Sequence, residues 1–221
     1  MLGRIFLMLL VSSAAVVGQT ISSHLPHKPA KTEKYVFYHH GAVVTVLGDN
    51  AINQAAPEWG PYEYSHILDS LQKRGCHVIS EIHQQNVDDS VYVNKVVSQV
   101  DSLLKAGVPV KNILLVGASA GWNVTIHAAD RLRNKALHYV IMGGCWPETY
   151  KDYSDLLLYG HFLSIIEVTD PHGTCVSLFE TRKSLSSYRE IKLNTGLSHG
   201  FIYKGYKEWI DPILQWWSSR K

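Results

Sequence analysis

In the stretch ILLVGASAGWNVTIHAAD, residues 113–130, an apolar run ends abruptly in small residues and a helical pattern begins. Gly117 and Gly121 stand two residues before and two residues after Ser119, and an alanine flanks the serine on each side. Two interpretations fit this pattern. Either a tight strand-to-helix turn happens to contain a serine, or the serine is held out for chemistry.

Short apolar runs alternate with longer amphipathic runs along the rest of the chain, which predicts strands alternating with helices. This alternation predicts an α/β protein, a three-layer α/β/α sandwich with a mainly parallel six-stranded sheet. Ligands bind beyond the carboxyl ends of the strands in open sheets of this kind, so residues just after each strand are the candidates for chemistry. The predicted strands cover residues 34–40, 76–82, 111–117, 137–144, 161–170 and 189–194.

The Gly-x-Ser-x-Gly pattern follows the predicted strand 111–117 and opens a predicted helix, which is the context of a nucleophile elbow. The glycines would let strand and helix pack closely, so that the Ser119 hydroxyl stands clear at the carboxyl edge of the sheet. The N-terminus of the following helix favours negative charge there. The backbone N–H of Ala120 is therefore predicted to be one donor of an oxyanion hole.

A serine nucleophile needs a base, and the chain offers 12 histidines. In this type of fold the order along the chain is serine, acid, histidine. His199 follows the last predicted strand within LSHGF and is the predicted base. Asp170 ends the preceding predicted strand within EVTD and is the predicted acid, which would hold the His199 tautomer. Glu167, three residues earlier, is the alternative acid.

The loop YHHGAVVTVLGDN after the first predicted strand is expected to supply the second oxyanion donor. Gly41 would allow a close backbone approach, and the N–H of Ala42 is the predicted donor. His40 and Gly41 are expected to line the substrate site together with Trp122, which would narrow it. Phe201, with Tyr203 just beyond it, either lines the site or packs in the core.

The motifs YHHG, VGASAG, EVTD and LSHGF occur in this order and spacing, and with them residues 34–218 resemble the α/β-hydrolase superfamily. The chain is similar to small exported single-domain bacterial serine hydrolases, a largely uncharacterised branch with a minimal α/β-hydrolase fold and no large lid. The resemblance implies Ser119, Asp170 and His199 as nucleophile, acid and base, with Ala42 and Ala120 as oxyanion donors. It implies a carboxylesterase-like serine hydrolase that cleaves a small ester, thioester or amide through an acyl-enzyme.

Two features separate this chain from other hydrolases. The His-Gly-Gly-Gly loop of one lipase and esterase branch is absent, because Gly41 is followed by alanine and valines. A metal-dependent hydrolase would need ligands such as His39, His40, His172 and Asp170, but neighbours on a strand point to opposite faces. No spacing typical of metal ligands supports a metal-dependent hydrolase, so neither a metal nor a cofactor is expected. A non-catalytic relative that binds a ligand or partner is the alternative function.

The chain has 3 cysteines. In the fold that the resemblance implies, Cys145 and Cys175 follow neighbouring strands at the carboxyl edge. A disulfide between them is reasonable and would pin the Asp170 loop, but the sequence leaves the Cα separation open. Cys76 would then be the unpaired cysteine.

The N-terminal segment and the net charge of the chain indicate its localisation and its class of partner. Residues 1–18 combine Arg4, an apolar run and small residues before Gln19, which predicts a cleaved secretory signal peptide. A polar leader over 19–33 and the α/β-hydrolase domain over 34–221 follow. The mature chain is expected to be exported, periplasmic or secreted, without stable membrane insertion. The full sequence has a formal net charge of +2, which argues against nucleic acid as a partner. The resemblance implies a small-molecule acyl substrate. The oligomeric state is not predicted.

Overall fold

The computed structural model describes residues 19–219, so the predicted signal peptide over 1–18 lies outside the described residues. Within that range strands alternate with helices. The strands are β1 (Ile21–Ser22), β2 (Lys34–His39), β3 (Cys76–Ile79), β4 (Ile113–Ala118), β5 (His138–Met142), β6 (Gly160–Glu167) and β7 (Leu185–Leu193). The α-helices are α1 (Ala42–Leu47), α2 (Tyr64–Gln72), α3 (Asp89–Lys105), α4 (Gly121–Leu132), α5 (Val176–Phe179) and α6 (Lys207–Ser218). Short 3₁₀ helices cover Pro57–Trp59, Val110–Asn112, Pro147–Tyr153 and Ser198–Ile202.

The described strands form a 7-stranded sheet in the order β1-β3-β2-β4-β5-β6-β7. Each neighbouring pair of these strands is parallel. Parallel neighbours need long crossover connections, and the helices supply them. The carboxyl ends of the strands therefore meet along one edge of the sheet. The predicted α/β class with a mainly parallel sheet is confirmed.

The prediction of six strands was wrong by one. Ile21–Ser22 falls in the segment that was assigned to a polar leader, yet it pairs with Val78 and Ile79 of β3. The Thr20 N–H donates to His77 Nδ1 at 3.2 Å and helps to hold this strand against the sheet edge. A two-residue strand carries no periodic pattern, so the polar composition of the segment concealed it.

Apolar side chains cover both faces of the sheet, as a three-layer sandwich requires. Neighbouring residues of β2 point to opposite faces, so Phe37 belongs to one apolar cluster and Tyr38 to the other. Helices α3 and α4 pack in the first cluster, whereas α2 and α6 pack in the second. Among the residues that the structure describes, no helix combines the length and the apolar character that crossing a membrane demands.

Candidate active site

Ser119 occupies a sharp turn between β4 and α4. Its φ of 48° lies in the left-handed region, and its N–H donates to the Met142 carbonyl oxygen at 2.8 Å. A Cβ added to Gly117 would lie 2.6 Å from the Trp122 Cα, and one added to Gly121 would lie 2.2 Å from the His39 carbonyl oxygen. Only glycine fits at these two positions, and the strained backbone is the kind that clusters at functional sites.

The structure brings the three predicted catalytic residues into one hydrogen-bonded chain. His199 Nε2 lies 2.9 Å from Ser119 Oγ, and His199 Nδ1 lies 2.7 Å from Asp170 Oδ2. The ionised carboxylate can only accept, so the ring proton sits on Nδ1 and Nε2 is free to accept the serine proton. Burial raises the pKa of Asp170, but hydrogen bonds from His199 and from the His172 N–H outweigh it, and the pKa lies below its usual value.

Glu167, the alternative acid, is buried but is bonded elsewhere. Its carboxylate accepts from the Thr195 N–H at 2.9 Å and from the Thr195 hydroxyl at 2.7 Å. Burial raises the pKa of Glu167, while these bonds and those from the Thr169 and Gly196 backbone lower it more, so the pKa is lowered overall. Thr169 accepts from the Ser198 N–H at 3.1 Å in the same network. Glu167 therefore ties the end of β6 to the segment that leads into His199.

The predicted oxyanion donors flank the serine. Ala42 is the first residue of α1, and Ala120 directly precedes α4. The N–H groups in the first turn of a helix have no acceptor within that helix, so both are available to a ligand. A Cβ on Gly41 would lie 3.2 Å from the Ser119 Cβ, which shows how closely the Gly41 backbone approaches the serine.

His40 does not line the site as predicted, because its ring is buried with 1% of its surface exposed. It lies behind the segment Gly41–Ala42, which we call the oxyanion loop. The His83 N–H donates to His40 Nε2 at 2.9 Å, so the ring proton must sit on Nδ1. Nδ1 lies 2.9 Å from the Gly41 carbonyl oxygen and donates to it. That oxygen and the Ala42 N–H belong to one trans peptide and point in opposite directions. His40 thus orients the predicted oxyanion donor.

Trp122 and Phe201 also lie outside the cleft. The Trp122 side chain is fully buried and packs against Tyr153, with ring centroids 4.6 Å apart, beneath the first turn of α4. Phe201 is 1% exposed and belongs to the apolar cluster on the opposite face of the sheet. Trp122 therefore does not narrow the site as expected, whereas Phe201 adopts the core packing that the sequence left open as an alternative. The local helical turns direct both side chains into the core.

A cleft of about 250 Å³ opens above Ser119, with Gly41, Ala42 and His199 in its lining. Most of its walls come from residues outside the predicted site, although the sequence offered Tyr203 as an alternative beside Phe201 and His172 as a candidate metal ligand. The segment APEWGPYEY, rich in aromatic residues, was the available signal for two of them. These lining residues are Val43, Asn53, Trp59, Tyr62, His172, Ile202 and Tyr203.

Three described residues of the site come close enough to share a metal ion. Asp170, His172 and His199 each offer one ligand atom, and these atoms lie within 4.8 Å of one another. However, Asp170 Oδ2 and His199 Nδ1 are already hydrogen-bonded, and His199 Nε2 is bonded to Ser119. A metal ion here would break that chain, so the geometry favours proton transfer over metal ligation.

Cys145 and Cys175 form a disulfide with a Cα–Cα distance of 5.1 Å. Cys145 follows β5 and Cys175 lies five residues beyond Asp170, so the bond ties the Asp170 loop to the neighbouring strand end. Cys76 is unpaired and buried in β3, and burial raises the pKa of its thiol to about 11. A thiol of this kind is largely protonated and unreactive.

No protein-family model matches the sequence, and no curated protein matches it in a sequence comparison. The structure is similar to an α/β serine hydrolase without a lid from Xanthomonas campestris, with 15% identity, a TM-score of 0.56 and coverage of 90% of this chain and 86% of that one. A dienelactone hydrolase from Anabaena variabilis gives 15% identity, a TM-score of 0.52 and coverage of 87% of each chain. An α/β-hydrolase from a sediment metagenome gives 12% identity, a TM-score of 0.56 and coverage of 85% and 92%. With its parallel sheet and the serine turn after β4, the chain has the fold of the α/β-hydrolase superfamily.

Proposed function

We propose that the protein is a serine hydrolase that cleaves a small ester, thioester or amide through an acyl-enzyme on Ser119. The observation that carries the proposal is the continuous hydrogen-bonded chain from Ser119 Oγ through His199 to Asp170. The fold that the chain shares with the lid-less Xanthomonas serine hydrolase and the Anabaena dienelactone hydrolase supports hydrolysis as the reaction class.

In the proposed reaction, His199 Nε2 takes the proton from Ser119 Oγ while the oxygen attacks the substrate carbonyl carbon. The Ala42 and Ala120 N–H groups stabilise the resulting oxyanion, and a donor of this kind contributes roughly 3–4 kcal/mol. Asp170 stabilises the imidazolium, which then protonates the leaving group. A water molecule, deprotonated by His199, hydrolyses the acyl-enzyme and regenerates the serine.

The size of the cleft favours a small, carboxylesterase-like substrate. Its volume of about 250 Å³ lies below the ~300–1,000 Å³ typical of sites for drug-sized ligands. A short acyl group with a compact leaving group fits this space better than a long lipid chain. Acetate and butyrate esters are therefore suitable first substrates.

Labelling with a fluorophosphonate probe tests the proposal, because the probe reacts with an activated serine. Mass spectrometry should find one adduct on Ser119, and p-nitrophenyl acetate and butyrate should be hydrolysed. Ser119→Ala should lose both the adduct and the turnover, whereas Ser154→Ala, at an exposed position, should keep both. A folded protein without an adduct would favour the alternative, a non-catalytic protein that binds a ligand or partner.

We also propose that the chain is exported after removal of residues 1–18. The Cys145–Cys175 disulfide supports this, because disulfides persist in oxidising compartments. N-terminal sequencing of protein from periplasm and culture medium should find Gln19 as the first residue. A first residue within 1–18 would contradict the proposed cleavage.

A further inference from the structure

Three aromatic residues line one side of the cleft, and we refer to Trp59, Tyr62 and Tyr203 together as the aromatic wall. Trp59 is the most exposed of the three, whereas Tyr62 is fully buried and Tyr203 is 2% exposed, so the two tyrosines meet the cleft only at its inner surface. The Trp59 and Tyr203 ring centroids lie 5.2 Å apart, and those of Tyr62 and Tyr203 lie 4.9 Å apart. Trp59 also lies 5.8 Å from the His199 ring. At the other end, the Tyr62 ring approaches to 3.5 Å from the point where a Gly41 Cβ would stand. The wall therefore runs from the predicted base to the oxyanion loop, on one side of the cleft above Ser119.

Contacts within the protein hold these rings in place. A Cβ on Gly200 would lie 2.7 Å from the Trp59 ring, so the indole packs directly on the backbone beside His199. The Tyr62 hydroxyl lies 2.9 Å from the Tyr38 hydroxyl, within the core. The Glu63 N–H donates to the Tyr203 carbonyl oxygen at 2.8 Å and joins the two segments that carry the wall. A wall that is already ordered loses little conformational entropy on binding.

Hydrogen-bond donors lie at one end of the aromatic wall. Asn53 Oδ1 accepts from the Ala55 N–H at 2.9 Å, which fixes the amide so that Nδ2 donates to the Tyr203 hydroxyl at 3.3 Å. Because the Tyr203 oxygen accepts this bond, its own proton can be donated to a ligand. Within residues 19–219, no acceptor is placed for that proton. An oxygen atom on a bound ring would supply one.

The cleft favours an uncharged ligand. Its described lining residues include no aspartate, glutamate, lysine or arginine. Burial and the neighbouring His199 lower the pKa of His172, so this lining residue favours its neutral form. A carboxylate or an ammonium group on the substrate would lose its hydration here without gaining an opposite charge.

We propose that the aromatic wall binds a single flat ring next to the scissile carbonyl, and that Tyr203 donates a hydrogen bond to an uncharged oxygen on that ring. The substrate class is then an ester of an aromatic acid or an aromatic alcohol whose ring bears a hydroxyl, methoxy or carbonyl oxygen. This inference rests on the proposed function. Contacts between aromatic rings favour an aromatic ring over a saturated ring of similar size by about two- to tenfold.

Two matched pairs of esters test the ring and show which side of the carbonyl carries it. Benzyl acetate and cyclohexylmethyl acetate differ in the alcohol, whereas ethyl phenylacetate and ethyl cyclohexylacetate differ in the acid. The aromatic ester of each pair is intrinsically more reactive, so the ratio of kcat/KM within a pair is divided by the ratio of the two rate constants for hydrolysis by hydroxide. The corrected ratio reports the contact with the wall. We expect a ratio of about three to ten in one pair. A ratio near one in both pairs would overturn the proposal.

Variants of the wall separate recognition from folding. Trp59→Leu should bring the preferred ratio close to one, whereas Tyr159→Leu, at the start of β6 on the opposite edge of the sheet, should leave it unchanged. Tyr203→Phe keeps a ring, so it should keep the ring preference but lose an additional preference of about three- to tenfold for the 4-methoxy ring. An equal loss on aromatic and saturated esters in Trp59→Leu would indicate a structural effect and contradict the proposal.

Binding to Ser119→Ala separates this inference from the proposed function. Calorimetric titration of this variant with benzyl acetate and cyclohexylmethyl acetate, and with the second pair, compares the rings without turnover. If Ser119 takes no label and no ester is hydrolysed, the proposed function fails. Tighter binding of an aromatic ester that Trp59→Leu abolishes would still support the wall, and equal binding of both rings would overturn it.

Discussion

Single hydrogen bonds decide which atom carries each proton beside Ser119. Asp170 and Glu167 are both buried carboxylates with lowered pKa values, so burial alone does not distinguish them. Their hydrogen-bond partners distinguish them, because Asp170 bonds the His199 ring whereas Glu167 bonds Thr195. The carboxylate that bonds Nδ1 selects the tautomer that the proposed reaction needs, whereas the other binds Thr195, four residues before the histidine.

The two carboxylates should therefore respond differently to loss of charge. We expect Asp170→Asn to lower kcat by about 10³- to 10⁴-fold, because the amide favours the wrong His199 tautomer. Glu167→Gln can still accept a hydrogen bond from Thr195, so its effect should stay below about tenfold. Steady-state kinetics on p-nitrophenyl acetate measure both. Loss of turnover in Glu167→Gln with retention in Asp170→Asn would show that the acid is Glu167.

His40 offers a test of the oxyanion loop, because its Nδ1 donates to the carbonyl oxygen of the Gly41–Ala42 peptide. An asparagine amide can replace the Nδ1 donor, whereas a glutamine places its nitrogen nearer to Nε2. We expect His40→Gln to lower kcat by about 10- to 100-fold with little change in KM, and His40→Asn to recover most of the loss.

A trifluoromethyl ketone inhibitor, which forms an oxyanion on the serine, supplies the second measurement for His40. Its affinity should fall in proportion to kcat/KM across the two variants. Equal losses in His40→Gln and His40→Asn, or a rise in KM alone, would mean that His40 serves only to pack the loop.

At the level of elements, the catalytic residues of the site could be predicted because short sequence motifs identify them. Ser119, Asp170 and His199 each follow a strand within a recognisable turn, and the parallel sheet places the three turns along one edge. The cleft walls depend instead on how distant segments pack. Trp59 lies in a 3₁₀ helix far from any motif, and its contacts with Gly200 and Tyr203 place it beside His199.

The disulfide is an element-scale constraint, since it joins the end of β5 to the loop after β6. It closes a loop with a sequence separation of 30. Chain entropy predicts that Cys145→Ser with Cys175→Ser lowers the free energy of unfolding by roughly 3–4 kcal/mol. Urea denaturation with and without dithiothreitol measures this. The reductant should destabilise the wild type and leave the double variant unchanged, whereas equal stability of both proteins would show that the bond constrains nothing.

For the molecule as a whole, the parallel sheet concentrates buried polar groups at the edge where the site lies. His39, His40 and His83 form a buried cluster behind the oxyanion loop, with Tyr92 stacked on His83 at 3.9 Å. Burial, and for His39 and His83 the neighbouring histidines, lowers the pKa of all three, that of His83 to about 3. The folded protein therefore keeps these rings neutral at a pH where the unfolded chain would protonate them.

This cluster makes global stability depend on pH in a defined direction. Between about pH 6.5 and 3 the unfolded chain binds more protons at His83 than the folded protein does, so the free energy of unfolding falls as the pH falls. His83 alone should remove roughly 1.5 kcal/mol between pH 6.5 and 5, with His39 and His40 acting in the same direction. Urea denaturation at pH 7, 6.5, 6, 5.5 and 5 measures the slope of the free energy of unfolding against pH. This window lies above the range in which most carboxylates lose their charge.

His83→Gln should lower stability at every pH but flatten this slope, whereas His27→Gln, at an exposed position, should leave the slope unchanged. An unaltered slope in His83→Gln would mean that His83 is protonated in the folded protein as readily as in the unfolded chain.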